Sequence, residues 1–221
     1  MSKKYVLYSG GQMDENRYIH QHLAELVEES RKSFTYVPYC YDQSDVFFRK
    51  AVRRYQRFGF DQFQILHLDR PSTKDHVKHC LSADVIYLAG GNTFYMLHHL
   101  KKSGLFGMFQ EYSRRGGILA GLSAGAIIMT PRIDLAGTPE YDADDNEVGL
   151  RNLRGLNLVD FEFFPHFRNS KRFIDSLSKY SLTRKNPVYA LKDGGGVIVN
   201  ERRKTFIGDA WIFWKGDCTR L

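Results

Sequence analysis

Short, continuously apolar runs alternate with amphipathic segments along the first half of the chain, and this alternation constrains the fold more than any other feature. Runs such as Val85–Ala89 and Ile118–Leu122 contain almost no polar residues, which is typical of strands buried on both faces of a parallel sheet. Between the runs, residues such as Phe94, Leu97 and Leu100 recur at near-helical spacing. The pattern predicts an α/β fold with a mostly parallel central sheet and helices on both faces.

The same periodicity predicts where the elements lie. The strands of the first half are predicted at Tyr5–Ser9, Phe34–Pro38, Phe63–Leu68, Asp84–Ala89 and Gly117–Leu122. Helices are predicted at Asp14–Ser30, Ser44–Phe58, Thr73–Ser82 and Thr93–Lys101. Beyond an acidic, irregular stretch from Asp134 to Glu147, the predicted elements are a strand at Leu158–Phe164, a helix at Ser170–Ser181 and short strands at Val188–Leu191, Gly196–Asn200, Thr205–Gly208 and Trp211–Trp214.

The tail and the overall organisation follow from these elements. Short strands separated by turns predict a small antiparallel C-terminal extension at the edge of the sheet. The chain contains no repeat, linker or low-complexity segment, so we expect one domain spanning residues 1–221.

The composition excludes several classes of protein. Hydrophobic residues make up 43% of the chain, which is too many for a disordered protein. No apolar run approaches the roughly 18–20 residues that span a bilayer, and the N-terminal segment leads directly into the first predicted strand. The net charge of +7 comes from scattered basic pairs without a nucleic-acid-binding motif. We therefore expect neither a membrane nor a nucleic acid as a partner.

The cysteines indicate the compartment. Cys40, Cys80 and Cys218 are odd in number and show no CxxC spacing, so they do not form a disulfide framework. Reduced thiols are typical of the cytoplasm, which is the localisation that we expect.

The segment Gly121-Leu122-Ser123-Ala124-Gly125 is the strongest chemical signal in the sequence. It follows a predicted buried strand and precedes a predicted helix start. In this setting a GxSxG serine is held on a strained turn above the carboxyl edge of the sheet, where it acts as a nucleophile. The N–H of Ala124 would lie at the helix N-terminus and is a candidate oxyanion donor. The alternative is a glycine-rich turn in which Ser123 only caps the helix.

A second glycine-containing segment follows the preceding strand. Gly90-Gly91-Asn92-Thr93 also opens a predicted helix, and in a parallel sheet it would share the carboxyl edge with Ser123. We predict the Gly91 amide as the second oxyanion donor and assign Asn92 to substrate binding. The alternative is a simple turn in which Asn92 or Thr93 caps the helix.

A serine nucleophile needs a general base, and histidine is the usual one because its pKa lies near neutrality. His166 ends an apolar strand, directly after a proline, and is the first candidate. His67 also lies near a strand end, followed by Asp69, and is the rival. The other histidines lie in predicted helices and are expected to be surface or partly packed residues: His20, His22, His76, His79, His98 and His99.

Together, Ala89-Gly90-Gly91-Asn92-Thr93-Phe94, Gly121-Leu122-Ser123-Ala124-Gly125-Ala126 and the downstream Phe164-Pro165-His166-Phe167 resemble the signature of the peptidase E family of aspartyl dipeptidases. The resemblance covers most of the chain. It implies a fold related to class I glutamine amidotransferases, a Ser-His-acid triad and cleavage of small peptides after an N-terminal aspartate. His166 occupies the position of the family's histidine. The implied mechanism requires no metal or organic cofactor.

The sequence offers several candidates for the third member of the triad. Asp193, in a glycine turn after a short strand, matches the position of the triad glutamate of peptidase E. An ordinary turn aspartate is the alternative. Asp134, Glu140 and Asp142 are the other candidates, because an aspartate shortly after the nucleophile also has this role in the family.

An acidic substrate side chain calls for a cation near the scissile bond. Arg168, two residues after the predicted base, is the first choice, since a guanidinium binds a carboxylate through two hydrogen bonds. Lys171, Arg172 and Arg132 are the alternatives.

Two other functions stay open at this point. The chain could be a serine hydrolase of different acyl or amide substrates on the same scaffold, or a non-catalytic member that binds a ligand in the same cleft. A glutamine amidotransferase is disfavoured because none of the cysteines lies in a comparable turn. A homodimer is one of the assemblies that the sequence allows.

Overall fold

The computed structural model of the protein describes residues 3–11, 14–28, 32–40 and 42–221. The strands are β1 (Lys4–Tyr8), β2 (Lys32–Val37), β3 (Phe60–Ile65), β4 (Val85–Leu88), β5 (Ile118–Leu122), β6 (Glu162–Phe164), β7 (Val188–Leu191), β8 (Gly196–Asn200), β9 (Arg203–Ile207), β10 (Ala210–Trp214) and β11 (Asp217–Arg220). The helices are α1 (Arg17–Glu25), α2 (Ser44–Gln56), α3 (Lys74–Cys80), α4 (Thr93–Lys102), α5 (Leu105–Arg114), α6 (Ala124–Met129) and α7 (Lys171–Ser181). Short 3₁₀ turns at Asp134–Gly137 and Glu140–Asp142 lie in the acidic stretch.

The central sheet has the strand order β3-β2-β4-β5-β1-β8-β9. Its first five strands in this order are parallel, and β8 and β9 join the β1 edge in antiparallel orientation. The predicted α/β class and the antiparallel extension are therefore confirmed. Because β1 and β4 both pair with β5, the loops that follow these three strands emerge side by side at one edge.

Successive residues of β1 pack on opposite faces of this sheet, as expected for a strand covered on both sides. Tyr5 and Leu7 belong to the core formed with α4, α5 and α6. Val6 and Tyr8 belong to the core formed with α1 and α2. The continuously apolar strands are thus explained by helices on both faces.

A second, four-stranded sheet has the order β11-β10-β7-β6, with β6 and β7 parallel and the other pairs antiparallel. One face packs on α7 through side chains such as Phe173, Leu177 and Phe213. The C-terminal strands β7 to β11 therefore belong to two different sheets, and their alternating pattern did not predict this division.

Several boundaries differ from those predicted. The strand predicted at Leu158–Phe164 is reduced to β6, and α5 and β11 were not predicted from the sequence. Helix α1 ends at Glu25, whereas the predicted end at Ser30 lies outside the described residues. Every helix in the described part of the chain is too short or too polar to span a bilayer.

Candidate active site

Ser123 lies between the end of β5 and the first residue of α6, on the turn that the GxSxG pattern predicts. Its backbone has φ 50° and ψ −109°, outside the regions that a residue with a Cβ normally adopts. The turn closes because its flanking residues lack side chains: a Cβ on Gly121 would lie 2.6 Å from the Ala126 nitrogen, and one on Gly125 would overlap the Leu88 carbonyl. The side chain of Ser123 is partly exposed.

His166 and Asp193 lie next to Ser123. The Nε2 atom of His166 is 2.8 Å from the Oγ atom of Ser123, and its Nδ1 atom is 2.6 Å from Oδ1 of Asp193. Since a carboxylate only accepts, Nδ1–H donates to Asp193, and Nε2 is left to accept the serine proton. Segments distant in the sequence, at the ends of β5, β6 and β7, supply the three side chains.

The other candidate acids have different surroundings. Asp134 accepts hydrogen bonds from Arg132, at 2.7 Å, and from Arg184, at 3.4 Å. Glu140 is exposed. Asp142 lines the same small cleft as Ser123 and His166. The structure thus brings Asp193, and none of these three, into hydrogen-bonding contact with the imidazole.

His67, the rival base, and His20 have surroundings different from those of His166. His67 lines a different cleft with Arg70 and His99; burial, and then the charge of Arg70, lower its pKa. His20 was expected at the surface or partly packed, and this expectation is wrong, because its ring is fully buried against Tyr8 and Tyr55.

Of the two predicted oxyanion donors, Ala124 directly follows Ser123, and Gly91 follows β4, the strand that pairs with β5. Ala124 is the first residue of α6, so its N–H has no acceptor within the helix. Gly91 is exposed after β4 and has φ 149°, and a Cβ at this position would overlap the ring of Tyr39. The Gly90 Cα lies close to β5, since a Cβ there would be 3.5 Å from the Leu122 oxygen. The roles of Gly91 and Ala124 as donors stay predictions.

Asn92 is the N-cap of α4, as the alternative interpretation had it. Its Oδ1 accepts from the Tyr95 N–H at 2.9 Å, and its Nδ2 donates to the Asp145 carbonyl at 2.8 Å. Asp144 accepts from the Thr93 N–H at 2.8 Å. These bonds fasten the acidic stretch to the N-terminus of α4, where a carboxylate is favoured by the helix dipole. A role of Asn92 in substrate binding stays a prediction.

A cleft of about 670 Å³ adjoins the imidazole. It is lined by Asp142, His166, Phe167, Arg168, Asn169, Lys192 and Asp193. Of the cations near it, Lys192 is bound to Asp209 at 2.8 Å, and the Arg172 guanidinium lies 3.2 Å from the centre of the Tyr141 ring. Arg168 is exposed in the cleft, and no ion pair with another described residue holds it.

The contribution of the first strand to the site was not predicted from the sequence. Ser9 and Gly10, directly after β1, contact the segments that carry His166 and Asp193. Gly10 and Gly11, which follow the first apolar run, are the sequence feature that could have indicated this contribution. The position of the end of β1 next to Ser123, however, follows only from the pairing of β1 with β5.

The family model of Peptidase family S51 matches residues 5–207 of the chain, a range that contains all of these site residues. The chain belongs to peptidase family S51. The expected kinship with peptidase E is confirmed by its relatives.

Curated relatives of this S51 member are bacterial peptidases. An uncharacterized peptidase of Pasteurella multocida is 34% identical over 130 residues, which cover 57% of this chain and 60% of the relative. One of Listeria innocua is 33% identical, over 62% of this chain and 66% of the relative. In these two alignments the chain thus spans less than two thirds of the relatives' own length. Peptidase E of Nostoc sp. is 26% identical, over 77% of this chain and 68% of that protein.

Solved structures show the same fold as this S51 chain. A peptidase from an acI-B1 Actinobacterium superposes with a TM-score of 0.75 at 18% identity, covering 100% of this chain and 94% of that chain. A structure from Listeria monocytogenes EGD-e gives a TM-score of 0.74 at 24% identity, covering 94% and 99%. At these identities the likeness establishes the α/β fold.

Proposed function

We propose that this S51 member is a serine peptidase that hydrolyses small peptides, above all dipeptides with an N-terminal aspartate. The observation that carries the proposal is the unbroken hydrogen-bonded series from Ser123 Oγ through the His166 imidazole to the Asp193 carboxylate. A nucleophile, its base and a carboxylate that orients the base are the groups that acyl transfer by serine requires.

In the proposed reaction, Ser123 Oγ attacks the peptide carbonyl carbon while its proton passes to Nε2 of His166. Asp193 holds the imidazole by the Nδ1–H and stabilises the imidazolium that forms. The N–H groups of Ala124 and Gly91 donate to the oxyanion, helped by the N-terminal end of α6.

The tetrahedral intermediate then breaks its carbon–nitrogen bond, and the imidazolium gives its proton to the leaving amine. Water attacks the resulting acyl-serine with His166 as base, which releases the acid product and restores the serine hydroxyl. The exposed position of the imidazole, whose side chain is 46% accessible, leaves a path for this water.

An aspartate at the cleaved position would be bound by Arg168. Its guanidinium is exposed in the cleft that His166 and Asp193 also line. Arg132 is bound to Asp134 and Arg172 stacks on Tyr141, so both of these cations already have partners in the protein. A guanidinium that forms two parallel hydrogen bonds to a carboxylate would select the acidic side chain.

The test compares wild-type protein with the Ser123→Ala variant on Asp-X dipeptides, on aspartyl p-nitroanilide and on acyl esters with non-acidic groups. We expect wild type to cleave the aspartyl substrates and Ser123→Ala to lose about 10³-fold or more in kcat. A fluorophosphonate probe should label wild type at Ser123 and leave the variant unlabelled.

The outcomes separate the competing functions. Equal turnover by wild type and Ser123→Ala would overturn the serine mechanism. Turnover of esters with no turnover of aspartyl peptides would indicate a hydrolase of other acyl substrates. Absence of both turnover and labelling in the wild type would indicate a ligand-binding protein.

A further inference from the structure

Three consecutive residues at the end of β1 each contact a different segment of the proposed active site. The Tyr8 carbonyl accepts from the Ser123 N–H at 3.0 Å, and the Ser9 Oγ accepts from the His166 N–H at 2.8 Å. The Gly10 carbonyl accepts from the Gly194 N–H at 3.0 Å, beside Asp193. One strand end therefore touches all three segments that carry the reacting side chains.

Ser9 differs from its neighbours because it makes its contact through its side chain. The residue is fully buried, and its hydroxyl also donates to the Leu191 carbonyl at 2.8 Å. Leu191 is the last residue of β7, two positions before Asp193. A single hydroxyl thus joins the segment of His166 to the segment that carries its carboxylate partner.

The backbone of His166 needs such support. Its φ of 56° lies in the left-handed region, which a residue with a Cβ adopts only where surrounding contacts hold it. Two hydrogen bonds flank this position: the one to Ser9, and the one from the Phe167 N–H to the Leu191 carbonyl at 2.9 Å. The acceptors of these two hydrogen bonds are Ser9 and Leu191, which are themselves joined by a hydrogen bond.

We propose that Ser9 is a positioning residue that holds the His166 backbone in its left-handed conformation and so keeps the imidazole between Ser123 and Asp193. The proposal rests on the function proposed above. Without the hydroxyl, the His166 N–H loses its acceptor, and the backbone is free to relax toward an ordinary conformation. The imidazole then spends less time within reach of the Ser123 proton, and small displacements of a base are costly for the reaction.

The experiment measures two quantities in Ser9→Ala, in Ser9→Thr, which keeps a hydroxyl, and in a control. The control is Ser113→Ala, another buried serine, whose Oγ lies 2.6 Å from the Tyr5 hydroxyl outside the proposed site. The first quantity is the rate at which a fluorophosphonate labels Ser123. The second is the far-downfield proton resonance of the imidazole N–H bound to Asp193. If Ser9→Ala does not fold, Ser9→Cys, which is similar in volume but a weak hydrogen-bonding group, takes its place.

We expect Ser9→Ala to be labelled about 10-fold more slowly or worse, and to lose or broaden the downfield resonance. Ser9→Thr should recover most of both, and Ser113→Ala should match wild type in both. Wild-type labelling and an intact resonance in Ser9→Ala would overturn the proposal, as would equal losses in Ser113→Ala.

These readouts do not depend on the peptide substrate. A wild type that is labelled but cleaves no aspartyl peptide contradicts the proposed function and leaves the positioning role measurable. A wild type that is not labelled at all still reports the role of Ser9 through the resonance.

Discussion

Gly10 lies directly against the imidazole of His166. A Cβ built on Gly10 would be 2.5 Å from the Nδ1 atom of His166 and would overlap the carboxylate of Asp193. The hydrogen bond between His166 and Asp193 therefore lies so close to residue 10 that only glycine fits at this position. The end of β1 thus contributes in two ways. Gly10 leaves space for the imidazole and the carboxylate, and Ser9 supplies the hydroxyl that accepts from the His166 N–H.

Replacing Gly10 tests this contact. We expect Gly10→Ala to fold and to lose about 100-fold or more in kcat/KM, since the new methyl group must displace the imidazole or the carboxylate. Gly107→Ala is the matched control, because a Cβ there, within α5, meets open space. It should keep full activity and gain about 0.5–1 kcal/mol of stability. Full activity in Gly10→Ala would show that the pair tolerates displacement.

Substitution of Asp193 and of Asp134, one at a time, tests which aspartate is the acid of the triad. Asp193→Asn should lose about 10³-fold or more in kcat, because an amide cannot stabilise the imidazolium and disturbs the tautomer of His166. Asp134→Asn should keep kcat within about 2-fold and lose about 1–3 kcal/mol of unfolding free energy, as its bonds to Arg132 and Arg184 weaken. Kinetics and chemical denaturation of both variants check this assignment, and the reverse result would make Asp134 the acid.

Selectivity for an acidic substrate should depend on Arg168. We expect Arg168→Ala to raise KM for Asp-X dipeptides by about 10-fold or more while leaving cleavage of non-acidic substrates nearly unchanged, because only the carboxylate contact is lost. Arg53→Ala, an exposed arginine of α2, should behave as wild type. An equal loss of activity on acidic and non-acidic substrates would mean that Arg168 shapes the site but does not recognise the substrate carboxylate.

Buried His20 makes stability depend on pH. Burial first, and the charge of Arg54 second, lower its pKa from 6.5 to about 3. Between these pH values the unfolded chain binds one proton more than the folded chain at this residue. Its contribution is therefore fully present above pH 6.5 and is lost as the pH falls, by up to about 1.4 kcal/mol per pH unit.

Urea denaturation between pH 7 and pH 4 measures this dependence. We expect His20→Phe, which keeps an aromatic ring among Tyr8 and Tyr55, to show a shallower fall in unfolding free energy toward acid than wild type. His79→Gln, at an exposed position, should keep the wild-type slope. Identical slopes in wild type and His20→Phe would show that His20 takes up its proton in the folded protein.

Local sequence was enough for much of the fold. Continuous apolar runs predicted the parallel strands around Val85–Leu88 and Ile118–Leu122 because strands covered on both faces need no polar side. The tail was harder, because β7 and β8 have similar patterns and yet belong to different sheets. Pairing partners are chosen by contacts between distant segments, which a short pattern does not contain.

The sequence by itself determined the strand–turn–helix unit around Ser123, because glycines, a buried strand and a helix start encode that turn within a few residues. Only the tertiary structure decided which carboxylate reaches His166, which arginine in the cleft forms no ion pair with the rest of the described chain, and that β1 supports the histidine. The physical reason is distance along the chain: Ser9 and His166 are 157 positions apart, and only strand pairing brings the hydroxyl to the backbone that it holds.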